Sequence, residues 1–228
     1  MKDISELAEK LELTSFNNLE LLEQSMVHRS YINEHEFKLG HNERLEFLGD
    51  AVLELVVSKD LYEKFPDKPE GQLTSIRAAL VRKETLGEVA DELQLHEYLK
   101  LSRGEAKSAS NQMAILSNSV EALIGSIYLD QDLEVAQNFI EKYILSKTKR
   151  VLESGEHIDA KSQFQELAQK KDRSTPSYKV MSESGPDHNK IFEVAALIND
   201  KEIARGSGNS KQAAEMAAAT AALEKYDK

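Results

Sequence analysis

The sequence predicts an all-α domain followed by a small α+β domain with the element order α-β-β-β-α. Apolar residues recur at helical spacing almost throughout residues 1–152, and no strand-like alternation interrupts them. After a short polar break, three strand-like segments lie between two amphipathic helical segments. We therefore predict a helical domain over residues 1–152, a linker over 153–158 and a compact second domain over 159–228.

Proline and the apolar stripes define the helices of the first domain. A long apolar helix is predicted over about 43–64, because Pro66 cannot continue it. Pro69 favours the start of another helix over about 70–81. The remaining helices are predicted to begin near residues 4 and 19 and to cover about 84–94, 113–129 and 133–152.

The second domain begins with a helix predicted over about 160–171, with Phe164 and Leu167 on its apolar side. Strands are predicted over about 177–183, 190–198 and 201–207, with a turn cluster of Gly, Pro, Asp and Asn between the first two. The chain closes with an alanine-rich helix over about 210–226. Its small side chains recur every fourth residue, so we expect this helix to lie close to a sheet.

Composition is that of a globular protein and excludes several kinds of site. Hydrophobic residues make up 40% of the 228 residues, and the lack of cysteine excludes disulfides and thiolate metal sites. No apolar run is long enough to span a membrane, and the acidic N-terminus does not look like a signal peptide, so we expect a cytoplasmic protein without membrane contact. The net charge of −11 does not by itself indicate a nucleic-acid partner, although a local patch can still be basic.

Carboxylates are concentrated at the start of the long helix. Glu43, Glu46 and Asp50 are spaced i, i+3 and i+7, which places them on one helical face. Like charges stacked there repel one another unless a cation lies between them. An adjoining apolar stripe is expected to keep this face beside the core: Leu45, Leu48, Val52 and Leu55.

A further acid, Glu121, lies in an otherwise apolar helix, where a charge needs a partner or a metal ion. Asn118, one turn earlier, faces the same way and offers an amide oxygen. Oxygen ligands without cysteine or clustered histidine favour Mg²⁺ or Mn²⁺ over zinc. The alternative left open by the spacing is that these acids are solvated or paired with arginines, of which the candidates are Arg44, Arg77 and Arg82.

Three sequence blocks resemble the signatures of the ribonuclease III family. HNERLEFLGDAV (41–52) resembles the main signature, and PEGQLT (69–74) and VEALIGSIYLD (120–130) resemble two further blocks in the same order. The family has a helical nuclease domain followed by a double-stranded-RNA-binding domain of order α-β-β-β-α, so the resemblance covers essentially the whole chain. It implies an endoribonuclease that cuts double-stranded RNA and processes precursors of ribosomal and messenger RNA.

The resemblance also implies roles for individual residues. Its metal ligands, for Mg²⁺ with Mn²⁺ as a substitute, correspond to Glu46, Asp50, Asn118 and Glu121. Its catalytic set corresponds to Asp50, Glu121 and the accessory acids Glu43 and Glu70. The implied reaction is in-line hydrolysis, with metal stabilising the attacking and leaving oxygens, and it needs no small-molecule cofactor. Asn118 stands where the family usually has aspartate, which leaves open a duplex-RNA-binding protein with impaired catalysis.

Phe47 points away from both the acidic face and the apolar stripe. On the sequence alone it can also be a core aromatic residue. In the family, the matching residue inserts into a second copy of the chain. Because a duplex has two strands to cut, we expect a homodimer with Phe47 at its interface.

RNA contacts are expected at three places in the second domain. The polar face of its first helix matches the family's first RNA contact, although in isolation it could be an ordinary solvated face: Ser162, Gln165, Glu166 and Gln169. His188 lies in the turn that resembles the loop entering the second minor groove. Lys211 starts the last helix, where backbone N–H groups suit a phosphate. Relatives commonly have two or three lysines there, so we expect modest affinity that is steeply lost with salt.

Overall fold

The structure is a computed structural model that describes residues 2–11, 16–107, 112–155, 160–186 and 190–226. Contacts divide the chain into two compact units, Met1–His157 and Ile158–Lys228. Among the described residues, no helix is both long enough and apolar enough to cross a bilayer.

The first unit is helical, as predicted. Its helices are α1 (Ile4–Lys10), α2 (Leu19–Ser25), α3 (Glu43–Lys64), α4 (Glu70–Val81), α5 (Lys83–Glu92), α6 (Gln112–Asp130), α7 (Leu133–Tyr143) and α8 (Thr148–Ser154). Short 3-10 turns that were not predicted cover Tyr31–Asn33, Leu95–Glu97, Glu105–Lys107 and Leu145–Lys147. Pro69 precedes α4 in an extended conformation, so the two prolines bound α3 and α4 as expected.

The predicted helix over 133–152 was wrong, because the structure divides it into α7, a 3-10 turn and α8. The backbone leaves the helical path at Ile144, whose φ is −109°. Ile144 and Val151 are nevertheless both fully buried, since the bend allows α8 to pack against α4. Apolar periodicity continues across such a bend, so spacing alone did not reveal it.

The core of the first unit lies around α3 and α6, which pack more extensively than any other two helices in the described residues. Leu45, Val52 and Val56 of α3 are buried, as are nearly all residues of the middle of α6. The prediction for Leu55 was wrong: its side chain is 57% exposed. The buried face of α3 runs through Gly49 and Leu53 instead, because a glycine allows the neighbouring helix to come closest there.

The second unit has the predicted order α-β-β-β-α. Its elements are α9 (Ala160–Asp172), β1 (Ser177–Ser184), β2 (Ile191–Ile198), β3 (Lys201–Gly208) and α10 (Lys211–Tyr226). The strands form one antiparallel sheet in the order β1-β2-β3. Asn199 and Asp200 both have positive φ, at 49° and 63°, which is the backbone of a tight two-residue hairpin between β2 and β3.

Helix α10 lies directly against β3, as its alanines predicted. A Cβ atom added to Gly208 would be only 2.6 Å from the backbone nitrogen of Ala214. One added to Gly206 would overlap the backbone of Ala218. Phe164 of α9 is fully buried in the same core. The glycines and alanines therefore set the separation between helix and sheet.

Candidate active site and RNA-binding face

The candidate active site lies where α3 and α6 cross. A Cβ on Gly49 of α3 would overlap the carbonyl oxygen of Glu121 in α6, and one on Gly125 would overlap the carbonyl oxygen of Leu45. The two helices are therefore in backbone contact. This contact brings Glu46 and Asp50, which flank Gly49, next to Glu121.

Glu121 is the carboxylate most affected by this arrangement. Burial, followed by the negative charges of Asp50 and Glu46, raises its pKa to about 7. Burial also raises the pKa of Glu46, against the opposing effect of a hydrogen bond with the side chain of Asn118. Glu43 and Asp50 add to this increase in the pKa of Glu46. The four residues predicted as metal ligands are thus close enough to affect one another.

No cation of the described chain neutralises this group. Glu46, Asp50 and Glu121 take part in no ion pair within the described residues. Of the arginines considered as alternative partners, Arg77 is 3.4 Å from Glu54, and Arg82 is 3.9 Å from Glu84. Arg44 lies in the same turn of α3 as Glu43 and Glu46 but forms no ion pair within the described residues.

The donor set fits a divalent cation, because it consists of three carboxylates and one amide oxygen. In the part of the chain that the structure describes, no three His, Cys, Asp or Glu side chains are grouped tightly enough to hold a metal ion as they stand. Carboxylates on one side of a helix crossing repel one another. A cation between them would remove this repulsion.

Glu43 lies at the edge of this group and has two basic neighbours. Its Oε1 is 3.3 Å from the guanidinium of Arg29, and its Oε2 is 3.7 Å from Nδ1 of His41. The Arg29 side chain is 69% exposed. Sequence reasoning missed Arg29, since it lies in the loop before α3 and no periodicity relates it to Glu43.

The structure does not bring Glu70 to the same place. It is the first residue of α4, where its carboxylate accepts a hydrogen bond of 3.0 Å from Thr74. It is not among the groups that shift the pKa of Glu46 or Glu121. At 1.5 Å per residue, Asp50 lies about 20 Å from the end of α3. Because α4 begins shortly after that end, its first residue Glu70 lies at the end of α3 that is remote from Asp50.

Phe47 projects into solvent and is 80% exposed, so it is not a core aromatic residue. Beside it is an open cavity of about 650 Å³, whose lining includes Leu21, Leu48 and Leu129. Leu129 is itself 55% exposed. The cavity also has polar lining residues, namely Gln24, His41, Glu43 and Arg44. An exposed aromatic side chain next to a cavity with a leucine-lined part is a self-complementary pair of features.

In the second unit, the polar residues predicted to contact RNA all lie on the exposed side of α9: Ser162, Gln165, Glu166 and Gln169. The opposite side of α9 buries Phe164 and Ala168. His188 lies outside the described residues. Lys211 is the first residue of α10, where the Ser210 hydroxyl accepts a hydrogen bond from the backbone N–H of Ala213.

Known proteins resemble both units. Residues 18–148 match the family model described as Ribonuclease-III-like, and residues 160–226 match the double-stranded RNA binding motif. Ribonuclease 3 of Streptococcus pneumoniae strain P1031 is 42% identical over 230 residues, which cover 99% of this chain and 97% of that protein. The chain belongs to the ribonuclease III family.

A second relative and a solved structure are similar to this chain as well. Ribonuclease 3 of S. pneumoniae strain CGSP14 is likewise 42% identical over 230 residues. Among solved structures, the nuclease domain of ribonuclease III from Campylobacter jejuni superposes with a TM-score of 0.57 at 36% identity. The match covers 63% of this chain and 97% of the C. jejuni chain. That structure is described as flexible in a region involved in dimer formation.

Family membership confirms the fold class and the resemblance drawn from the three sequence blocks. The two matched regions fall in different units of the structure. The linker bounds 153–158 stay a prediction, since residues 156–159 lie outside the described residues. The site residues stay predictions too, and the geometry supports the group at the helix crossing more directly than it supports Glu70.

Proposed function

We propose that this chain is an endoribonuclease that hydrolyses phosphodiester bonds in double-stranded RNA with divalent metal ions, of which Mg²⁺ is the natural one. The observation that carries the proposal is the group of three carboxylates without a cation partner at the crossing of α3 and α6. It lies in a member of the ribonuclease III family that also has a double-stranded RNA binding motif. Structured precursors of ribosomal and messenger RNA in the cytoplasm are the proposed substrates.

Glu46, Asp50, Glu121 and Asn118 would hold the metal. A bound divalent cation would stabilise charge on the attacking and leaving oxygens of an in-line displacement. The backbone contact between α3 and α6 keeps the ligands of both helices in fixed positions before substrate binds. Glu43, held by Arg29, and the more distant Glu70 would lie along the RNA as accessory acids.

In the second unit, the exposed polar face of α9 would read 2′-hydroxyl groups of the minor groove through its amide and hydroxyl groups. The proposed contacts are Ser162, Gln165, Glu166 and Gln169 on α9, with His188 and Lys211 beyond it. Lys211 would meet a phosphate at the start of α10, where the helix dipole favours negative charge.

A homodimer is part of the proposal, with Phe47 of each copy inserted into the cavity beside Phe47 of the other. A two-fold arrangement presents one acidic group to each strand of a duplex. Exposure of 80% for a phenylalanine on the rigid helix α3 supports a contact that is made only in the assembly.

The Phe47→Ala protein is expected to be monomeric, because it removes the apolar side chain that fills the partner's cavity. Sedimentation equilibrium at micromolar concentration should give about 25.6 kDa for this variant and about twice that mass for the unmodified chain. Met181→Ala, which truncates an exposed apolar residue of the second unit, is the control and should leave the dimer intact. A Phe47→Ala protein that stays dimeric would remove Phe47 from the interface.

Residue 118 provides the experiment that tests the function. Asn118→Asp adds a fourth carboxylate to the group, so cleavage of a long RNA duplex should reach half its maximal rate at about tenfold lower Mg²⁺ concentration. The amide oxygen already present allows the unmodified chain to cleave at higher Mg²⁺, or with Mn²⁺. Asn138→Asp on the exposed side of α7 makes the same chemical change away from the site and should not alter the metal requirement.

Two results would contradict this view of residue 118. If Asn118→Asp leaves the metal requirement unchanged, Asn118 is not a ligand. If the unmodified chain binds duplex RNA but cuts it at no metal concentration, and Asn118→Asp does cut it, the chain is a duplex-RNA-binding protein whose catalysis is impaired by the asparagine. The position of Asn118 beside Glu46, where its amide lowers the pKa of that carboxyl but adds no charge of its own, keeps this second function under test.

A further inference from the structure

Lys161, next to the polar face of α9, has both an acidic and an aromatic partner. Its Nζ is 2.8 Å from Oε2 of Glu215 on α10 and 4.9 Å from the centre of the Tyr178 ring. The side chains of Lys161 and Glu215 remain 37% and 29% exposed. The ammonium group is therefore paired, supported by an aromatic ring and still accessible to solvent.

Lys211 has the same kinds of partner, although its side chain is more exposed, at 60%. Its Nζ is 3.6 Å from Oε1 of Glu183 on β1 and 5.8 Å from the centre of the Phe192 ring. Glu215 follows Lys211 by four residues, which is one turn along the same side of α10. Lys161 therefore meets α10 one turn after the position of Lys211, so both lysines lie beside the first turns of this helix.

We propose that Lys161 is a further phosphate contact of the RNA-binding face, and that RNA phosphates replace Glu215 and Glu183 as the partners of Lys161 and Lys211. The inference rests on the RNA-binding face proposed above. It adds a second cation, Lys161 of α9, to Lys211 at the start of α10. The two acids determine how tightly this face binds duplex RNA.

Exchange of partners is feasible because the existing ion pairs are weak. Pairs of partly exposed charges contribute little, since both groups remain accessible to water and salt. The aromatic rings stay in contact with the lysines when the carboxylates leave, so each ammonium group keeps its position during the exchange. Each released carboxylate regains solvent but remains near the phosphate, and this repulsion lowers the affinity.

Arg205 offers a matched comparison on the other side of the sheet. It donates to Glu202 at 2.8 Å and lies 3.4 Å from Glu193. Its neighbour Ala204 is buried in the core between sheet and helices, so Arg205 faces away from the helices because side chains alternate along a strand. It is an ion-paired cation of the same unit outside the proposed face.

The test is binding of the full chain to an RNA duplex of about 20 base pairs, long enough for the roughly 16 base pairs that such a domain spans. Fluorescence anisotropy in EDTA, over a series of salt concentrations, measures affinity without cleavage. Glu215→Gln and Glu183→Gln should each tighten binding about two- to fivefold. Lys161→Gln should weaken binding and reduce the slope of log K against log salt by about one. Glu202→Gln should change neither quantity.

The outcomes separate this proposal from a purely structural pair between α9 and α10. If Lys161→Gln lowers the thermal stability of the second unit but keeps the salt slope of the unmodified chain, Lys161 only joins the helices and the proposal is wrong. If Glu215→Gln and Glu183→Gln both leave affinity unchanged or weaken it, the acids do not compete with RNA and the proposal is again wrong. Glu183→Gln keeps the test valid should Glu215→Gln unfold the second unit. If the unmodified chain binds no duplex, the RNA-binding function itself fails.

Discussion

A Gly49→Ala substitution is expected to destabilise the first unit by at least about 3 kcal/mol, or to prevent its folding. The added methyl group would overlap the carbonyl oxygen of Glu121 and lie 2.8 Å from the backbone nitrogen of Gly125. A flexible side chain can move aside, but two helical backbones can only separate. Separation would open the packed centre of the unit and move Glu121 away from Glu46 and Asp50.

Urea unfolding followed by circular dichroism measures this effect. Gly104→Ala is the matched control, because a Cβ at Gly104 would meet only the hydroxyl of Ser102, at an ordinary 3.9 Å. We expect the control to unfold like the unmodified chain. An unchanged unfolding midpoint for Gly49→Ala would show that α3 and α6 can separate freely, and that backbone contact does not position the carboxylates.

A Glu121→Gln substitution is expected to have opposite effects on cleavage and on stability. Cleavage of duplex RNA should fall at least about a thousandfold, because the substitution removes a carboxylate of the proposed metal site that would help to stabilise charge in the transition state. The metal-free protein should nevertheless become more stable at pH 8, since Gln removes a buried charge that repels Asp50 and Glu46. The gain should be about 1–3 kcal/mol, which is bounded by the shift in pKa.

The raised pKa of Glu121 determines how the stability gain of Glu121→Gln depends on pH. The pKa of Glu121 is raised from 4.5 to about 7, so the folded state binds the proton more tightly than the unfolded state does. Its charge therefore costs nothing below pH 4.5, and the cost grows until the pH passes about 7. Urea unfolding in EDTA should show a much larger gain of Glu121→Gln at pH 8 than at pH 5, where the charge costs little. Glu9→Gln, at an exposed position of α1, should show no gain at either pH. An equal effect of Glu121→Gln at both pH values would mean that the Glu121 charge is not the cause.

Much of the fold could be predicted from the sequence because its signals are local. Pro66 and Pro69 act on the backbone of their own residues and neighbours, and α3 and α4 have the predicted bounds. The spacing of Glu43, Glu46 and Asp50 along one helix face is likewise a local property. The proposed ligands on α6 were predicted from a charge in an apolar helix, and the structure places Glu121 beside Asp50 and Glu46.

The incorrect predictions, and the contact of Arg29 that was not predicted, concern residues whose surroundings come from distant parts of the chain. Leu55 continues an apolar stripe, yet the helices that cover α3 leave this residue exposed. The end of α7 at Tyr143 depends on α4, against which α8 packs after the bend. Arg29 lies beside Glu43 only because the chain returns after the intervening loop.

The sequence by itself determined the order of the elements, the division into a helical and an α+β part, and the set of carboxylates on α3 and α6. These depend on periodicity, turn residues and residue type, which act over a few neighbours. Only the tertiary structure decided that Gly49 and Gly125 bring two helical backbones into contact, and that Glu215 and Glu183 pair with the lysines of the proposed RNA-binding face. Packing distances and ion pairs between elements depend on which helix and sheet surfaces come into contact, and no local sequence pattern specifies these contacts.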